Sequence, residues 1–179
     1  MKSWHNLLLV FLFWLFNAPL WGQTSPPIKK IGHPPLMSPH AAPIVSLKEQ
    51  VFVVNTPADT VDVINTHKGE IVKRIPVGID PVSLAIRPDG KELWVSNHVS
   101  DSVSVIDNNP QSTTYLHVVD TIQHFNSKTK ATTFDEPVGI AFANNAKAYV
   151  ALSSENQIAV IDVASRKVTK RLRLTAQDP

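Results

Sequence analysis

Val51-Phe-Val-Val-Asn-Thr-Pro-Ala-Asp-Thr-Val-Asp-Val-Ile-Asn65 recurs, with changes, as Leu93-Trp-Val-Ser-Asn-His-Val-Ser-Asp-Ser-Val-Ser-Val-Ile-Asp107. It recurs again as Ala148-Tyr-Val-Ala-Leu-Ser-Ser-Glu-Asn-Gln-Ile-Ala-Val-Ile-Asp162. The copies start at positions 51, 93 and 148, so they are spaced by 42 and 55 residues. A repeat of about 40 to 45 residues built from short strands is the signature of a propeller blade. The spacing therefore predicts an all-β chain and says little about chemistry.

The flanks repeat as well. Pro81-Val-Ser-Leu-Ala-Ile-Arg-Pro-Asp-Gly90-Lys91 precedes the second copy, and Pro137-Val-Gly-Ile-Ala-Phe-Ala-Asn-Asn-Ala146-Lys147 precedes the third. Each is a short apolar run that ends in turn chemistry, and Pro-Asp-Gly presets φ at Pro while Gly accepts positive φ. A second turn falls inside the copied stretch, at 56–59, 98–101 and 153–156, and a third follows at 66–69 and 164–167. Asp59, Asp101 and Asn156 recur in the second turn as residues that tolerate positive φ. Four strands per unit result, at 82–86, 93–97, 102–107 and 118–122 in the clearest unit. Within the third of these, Val103 and Val105 share one face, and Ser104 and Ile106 the other. Trp94 and Tyr149 occupy one repeat position and are expected to lie in the core between blades. The fourth strand carries charge (Lys73, Arg74; Lys170, Arg171), which keeps an outer edge from pairing with other chains. Residues 44 to 175 are expected to form consecutive four-stranded antiparallel sheets, with no helix longer than two turns. The longer second spacing is placed in two loops, 108–117 and 123–133.

The N-terminus reads differently. Lys2, the apolar run from Leu7 to Phe16, and Asn17-Ala18-Pro19 ahead of Gly22 have the layout of a secretory signal peptide, residues 1–22. Ten apolar residues are about half of what a bilayer span needs, so no span is expected once the signal is removed. An uncleaved anchor is the other reading. Residues 23–43 hold Pro26, Pro27, Pro34, Pro35, Pro39 and Pro43 and read as an extended linker, with His33 and His40 as solvated residues within it. The absence of cysteine excludes disulfides, thiolate metal sites and covalent c-type haem within these residues. Seventeen basic and 15 acidic residues give a net charge of +2 with no basic run, so nucleic-acid binding has no electrostatic footprint.

Leu93-Trp-Val-Ser-Asn97, Val103-Ser-Val-Ile-Asp107, Ile75-Pro-Val-Gly78 and Arg87-Pro-Asp-Gly-Lys91 together resemble the YVTN/YncE-like β-propeller repeat family. The resemblance runs over about residues 43 to 179. It implies exported or cell-surface propellers of about seven blades. Residues 94–107 are also similar to long exported propeller proteins that carry c-type haem motifs further on, a feature with no counterpart in these residues. About 137 residues supply three blades, and Lys170 to Pro179 retrace Lys73 to Pro81. The chain is therefore read as an N-terminal fragment whose missing blades belong to the same protein; the alternatives are a three-blade piece that assembles with copies of itself or an open curved array.

Two constellations invite chemistry. Ser96, His98 and Asp101 are the types of a hydrolase triad, but they lie within six residues of one strand and turn, and triad members must converge from separate elements. The first copy has Val54, Thr56 and Asp59 there, which points to turn chemistry. Asp80, Asp135, Glu136 and Asp178 precede or approach the inner strands. They are candidates for a carboxylate ring around a cation such as Ca²⁺ at the channel mouth, where the resemblance places sites in lactonase-like relatives. The alternative is that Asp before Pro shapes the blade entry. No other cofactor is implied.

The reading that follows is an exported binding or scaffold module that engages a protein, glycan or cell-envelope partner through its loop face. The rival is an enzyme domain: a lactonase-like hydrolase with a channel-mouth metal, or a redox protein with c-type haem in a missing C-terminal part.

Overall fold

The computed structural model describes residues 40–174. Residues 1–22, read above as a signal peptide, most of the Pro-rich stretch with His33, and Asp178 lie outside the described residues. The twelve strands form three sheets in sequence order. Blade 1 is β1 (Ile44–Leu47), β2 (Gln50–Asn55), β3 (Thr60–Asn65) and β4 (Glu70–Pro76). Blade 2 is β5 (Pro81–Ile86), β6 (Glu92–Asn97), β7 (Ser102–Asp107) and β8 (Val118–Ile122), and blade 3 is β9 (Pro137–Asn144), β10 (Lys147–Leu152), β11 (Gln157–Asp162) and β12 (Lys167–Arg173). Every pairing within a blade is antiparallel. Among the described residues the one helical element is a single 3-10 turn, Thr56–Ala58. The all-β propeller expected from the repeat is the architecture found, and the strands of blade 2 match to within one residue.

Alternation along each strand splits its residues between two blade interfaces. Phe52, Val61, Val63 and Ile75 of blade 1 pack on Leu84, Leu93, Val95 and Ile106 of blade 2. Trp94, Val103, Val105 and Ile122 of blade 2 pack on Val150, Leu152, Ala159 and Ile161 of blade 3. The two faces assigned to Val103/Val105 and Ile106 are thus buried against different neighbours, which is why β7 is buried almost throughout. Phe52 and Trp94, at one repeat position, each point at the following blade and are fully buried. Tyr149 at the same position is only half-buried. Its face of blade 3 is one that no described blade covers. For the same reason β5 is largely buried whereas β1 and β9 are not.

One device was absent from the sequence reading. Register shifts fall at Val63/Ile64, Val105/Ile106 and Val160/Ile161, the same place in all three blades. Each leaves one outer-strand residue (Val72, Val119, Thr169) without an opposite number. Such bulges add twist and spoil the outer edge for pairing with another chain.

Both inserted loops bind a neighbouring blade. Residues 108–117 reach blade 1, where the Tyr115 hydroxyl bonds Gln50 Oε1 at 3.0 Å and Leu116 enters the first core. Residues 123–133 form a small hairpin closed by a Phe125–Thr132 bridge, and Phe134 anchors it as a fully buried member of the second core. At the N-terminal side, Ala42 pairs in parallel with Ser83, the Leu84 N–H donates to the Ala42 carbonyl at 2.9 Å, and His40 Nε2 bonds Thr56 Oγ1 at 2.9 Å. Residues 40–43, the end of the Pro-rich stretch, therefore lie along the inner strands.

Candidate functional site

One end of the blades carries the β2–β3, β6–β7 and β10–β11 turns together with the segments that enter the next blade. Each of these turns places one residue in the left-handed region: Asp59 (φ 55°), Asp101 (φ 49°) and Asn156 (φ 49°). Short polar side chains reduce the cost of that conformation by bonding nearby backbone. For Asp59 and Asp101 that bond reaches across blades. Asp59 Oδ1 accepts the Asp80 N–H at 2.8 Å, and Asp101 Oδ1 accepts the Glu136 N–H at 3.0 Å. Asp80 and Glu136 themselves have positive φ, 59° and 47°, just before Pro81 and Pro137. The Asp80 and Glu136 carbonyls then accept the N–H groups of His98 and Ser153, at 2.9 and 3.1 Å. Residues 77–80 also run tightly over the β6–β7 turn. A Cβ at Gly78 would collide with Ser100 Oγ and the Asn97 side chain, and the Ile79 N–H donates to Ser100 Oγ at 3.0 Å.

These contacts locate the carboxylates read from the sequence. Asp80 lies at the junction of blades 1 and 2; Asp135 and Glu136 lie at the junction of blades 2 and 3. Asp178 is outside the described residues. Among the described residues no group of three or more His, Asp or Glu side chains is arranged to hold a metal ion. Asp101 is the residue closest to Asp135 and Glu136 in chemistry: burial pushes its carboxyl up, the Glu136 N–H opposes this, and the Asp135 and Glu136 charges push it further up.

The Ser96–His98–Asp101 set does not converge. Ser96 is fully buried in β6, paired with Ser83 and Val103, and its hydroxyl has no hydrogen-bond partner. Asp101 is occupied with Glu136. In blade 2 the buried polar positions form a structural set instead: Asn97 Nδ2 donates to Ser102 Oγ at 3.0 Å and to Ser104 Oγ at 2.9 Å. Asn55 and Asp62 repeat it in blade 1 at 3.3 Å, and blade 3 replaces both partners by Leu152 and Ala159. That exchange removes donor and acceptor together, so neither is left buried and unpaired.

A cleft that the sequence reading did not resolve into residues lies at the blade 2–blade 3 junction on this face. The 123–133 hairpin crosses to β12, where the Arg171 guanidinium donates to the Thr133 carbonyl and to Thr133 Oγ1 at 3.2 Å. Arg171 also bonds Glu155 Oε2 at 2.9 Å and Gln157 Oε1 at 3.4 Å. The hairpin and the β10–β11 turn border an open cleft of about 470 Å³, lined by His124, Phe125, Asn126, Glu155, Gln157 and Arg171 among others. Phe125 is 50% exposed. The length of the insertion was the one sequence signal for this cleft. Among the described residues no helix is long and apolar enough to cross a membrane.

Comparison with known proteins bears on the fold. Among solved structures, the Kuenenia stuttgartiensis hydrazine synthase is 27% identical with a TM-score of 0.58, over 71% of this chain and 33% of that one. Virginiamycin B lyase from Staphylococcus aureus is 18% identical with a TM-score of 0.56, over 74% of this chain and 41% of that one. The WD40 propeller domain of Doa1 is 10% identical with a TM-score of 0.54, over 73% of this chain and 38% of that one, so the last two likenesses concern the fold alone. The chain spans about a third to two fifths of the length of these structures. No curated protein sequence matches it. The model of the YNCE-like β-propeller family matches residues 32–130, which is more than half of the chain, and the three blades accord with it: the chain belongs to the YNCE-like β-propeller family.

Proposed function

We propose that this chain is part of an exported β-propeller binding module that holds a cell-envelope partner on its turn-bearing face. The observation that supports this most is the 470 Å³ cleft under the 123–133 hairpin, whose size is within the range of ligand sites. Asp59 and Asp101 on that face are engaged as acceptors of backbone N–H groups, and the candidate triad does not assemble, so binding is favoured over hydrolysis. Export rests on the Lys2, Leu7-to-Phe16 and Gly22 arrangement. The test is sedimentation of the purified full-length protein with cell envelopes of its source. Binding should fall with Arg171→Glu, at the cleft, and persist with Lys91→Glu, on the opposite end of the blades. Equal binding by both variants overturns the reading.

One observation favours a second reading. The 27% identical neighbour is named a hydrazine synthase and is about three times the length of the matched region. On this reading the propeller is the scaffold of a longer enzyme chain. A haem stain of the full-length exported protein separates the two, since haem binding belongs only to the second.

A further inference from the structure

We infer that the cleft under the 123–133 hairpin is a saccharide site that takes a neutral glycan; this rests on the binding-module reading and names its ligand class. Three observations carry the inference. The first is the charge balance: Arg171 and Glu155, both in the wall of the cleft, are paired with each other at 2.9 Å, and their side chains are only 25% and 23% exposed. An anionic or cationic ligand would have to break that pair, whereas a polyhydroxyl ligand adds to it. The second is the donor and acceptor set. Asn126 Oδ1 is held by the Lys128 and Thr129 N–H groups at 2.9 and 3.0 Å and Gln157 Oε1 by Arg171 at 3.4 Å, so these two amides turn their NH2 groups to the cleft as donors for ligand hydroxyls.

The third is Phe125. It is half exposed beside these polar groups, and no cored position explains it, because Phe134 is the aromatic that anchors the hairpin. An aromatic face in solvent costs free energy unless something covers it, and the C–H face of a sugar ring does so while its hydroxyl edge meets the polar wall. The cleft also belongs to the junction of two described blades and sits against Arg171, which shares a register position with the buried Ala159. Its described walls come from the hairpin and from blade 3.

The test is calorimetric titration of the full-length protein with maltotriose, cellotriose and triacetylchitotriose, and separately with heparin. At least one neutral trisaccharide should bind, Phe125→Ala should weaken it roughly five- to tenfold, and Phe125→Trp should restore it. Phe125 is exposed and outside both cores, so its removal leaves the fold intact; unfolding curves of the variants verify this. Binding of heparin alone, unaffected by Phe125→Ala and lost in salt, would assign the hairpin's Lys128 and Lys130 to a charged ligand and overturn the inference. Binding of no trisaccharide overturns it too. If envelope binding nonetheless falls with Arg171→Glu, the binding-module reading stands and only the ligand class fails.

Discussion

The Asp101 carboxylate accepts the backbone N–H of Glu136, 35 positions later, at 3.0 Å, and so ties the inner turn of one blade to the entry of the next. The bond repeats one blade earlier between Asp59 and Asp80 at 2.8 Å. A single short side chain therefore serves two demands, left-handed backbone in its own turn and an acceptor for its neighbour.

Asp101→Ala should lose both, costing about 2 kcal/mol in chemical unfolding. Asp101→Asn keeps the acceptor and the conformational tolerance, the latter seen in Asn156 at the same place in blade 3 (φ 49°). The folded Asp101 carboxyl holds its proton to higher pH than the unfolded one, because burial comes first among its causes. Its contribution to stability therefore declines as pH rises from the ordinary carboxylate value through the raised one. Asp101→Asn should match or exceed the parent's stability at pH 7 and remove that decline. A variant clearly less stable at pH 7 would show that the charge itself is needed.

Trp94 is the one tryptophan after Trp21 and is fully buried between blades 2 and 3. Its ring meets Phe142 edge-on at 5.0 Å, and its Nε1 donates to Glu92 Oε2 at 2.8 Å. Glu92 also receives Arg87 and, from blade 3, Arg166 at 2.9 and 3.1 Å. Trp94→Ala should cost about 3–5 kcal/mol from the cavity alone. Trp94→Phe keeps most of the apolar area but removes the indole donor, a loss of about 1–2 kcal/mol. Unfolding followed by circular dichroism measures both, since the substitutions remove the fluorophore.

How much of this was legible follows from what each feature depends on. The strands of blade 2 were readable because alternation and turn residues are local, and the repeat supplied three independent readings of them. Asp59, Asp101 and Asn156 were readable as left-handed turn residues for the same reason. Their partners Asp80 and Glu136 were visible as acidic residues before Pro, but a backbone N–H leaves no trace in sequence, so the bond between blades was not. The three bulges were hidden because one extra outer-strand residue looks like ordinary strand. The half-burial of Tyr149 was not readable, because burial depends on a neighbouring blade, while its repeat position only says which way it points. The cleft needed Arg171 to be seen as a hairpin anchor, and in sequence it is one more charge on an edge strand.

Asp89, in the Pro-Asp-Gly turn, is gripped by Arg87 through two bonds of 2.8 and 2.9 Å. That grip holds its carboxyl below the usual range and raises the guanidinium. The unfolded state therefore takes up the proton first as pH falls. The stabilisation is present above the ordinary carboxylate pKa of about 3.9 and disappears as pH drops through the depressed value. Asp89→Asn should lower stability by about 1 kcal/mol at pH 7, the scale of a partly exposed bidentate pair, and by almost nothing at pH 2. A difference that stays constant between these pH values would assign the effect to turn geometry.

The end faces of the three blades yield the last expectation. Val51, Val53 and Ile64 of blade 1 share one face by register with Ile44 and Ile71, and they stand where Leu93, Val95 and Ile106 are fully buried in blade 2. Here Ile44 is 58% exposed and Ile71 46%. On blade 3, half-buried Tyr149, Ile158 and Leu172 stand where Trp94, Val103 and Ile122 pack inside. The two faces are built for each other's kind, since the same positions meet at both internal junctions. Covering a large apolar side chain contributes roughly 1.5–3 kcal/mol, so even partial burial of five rivals the net stability of a domain. Residues 40–174 produced alone should therefore self-associate by these faces, seen as concentration-dependent mass in sedimentation velocity. Ile71→Glu with Val53→Thr should shift that equilibrium toward monomer, while Val99→Glu, exposed in a turn and on neither face, should not. A parent that stays monomeric and unfolds cooperatively at high concentration would mean that three blades suffice.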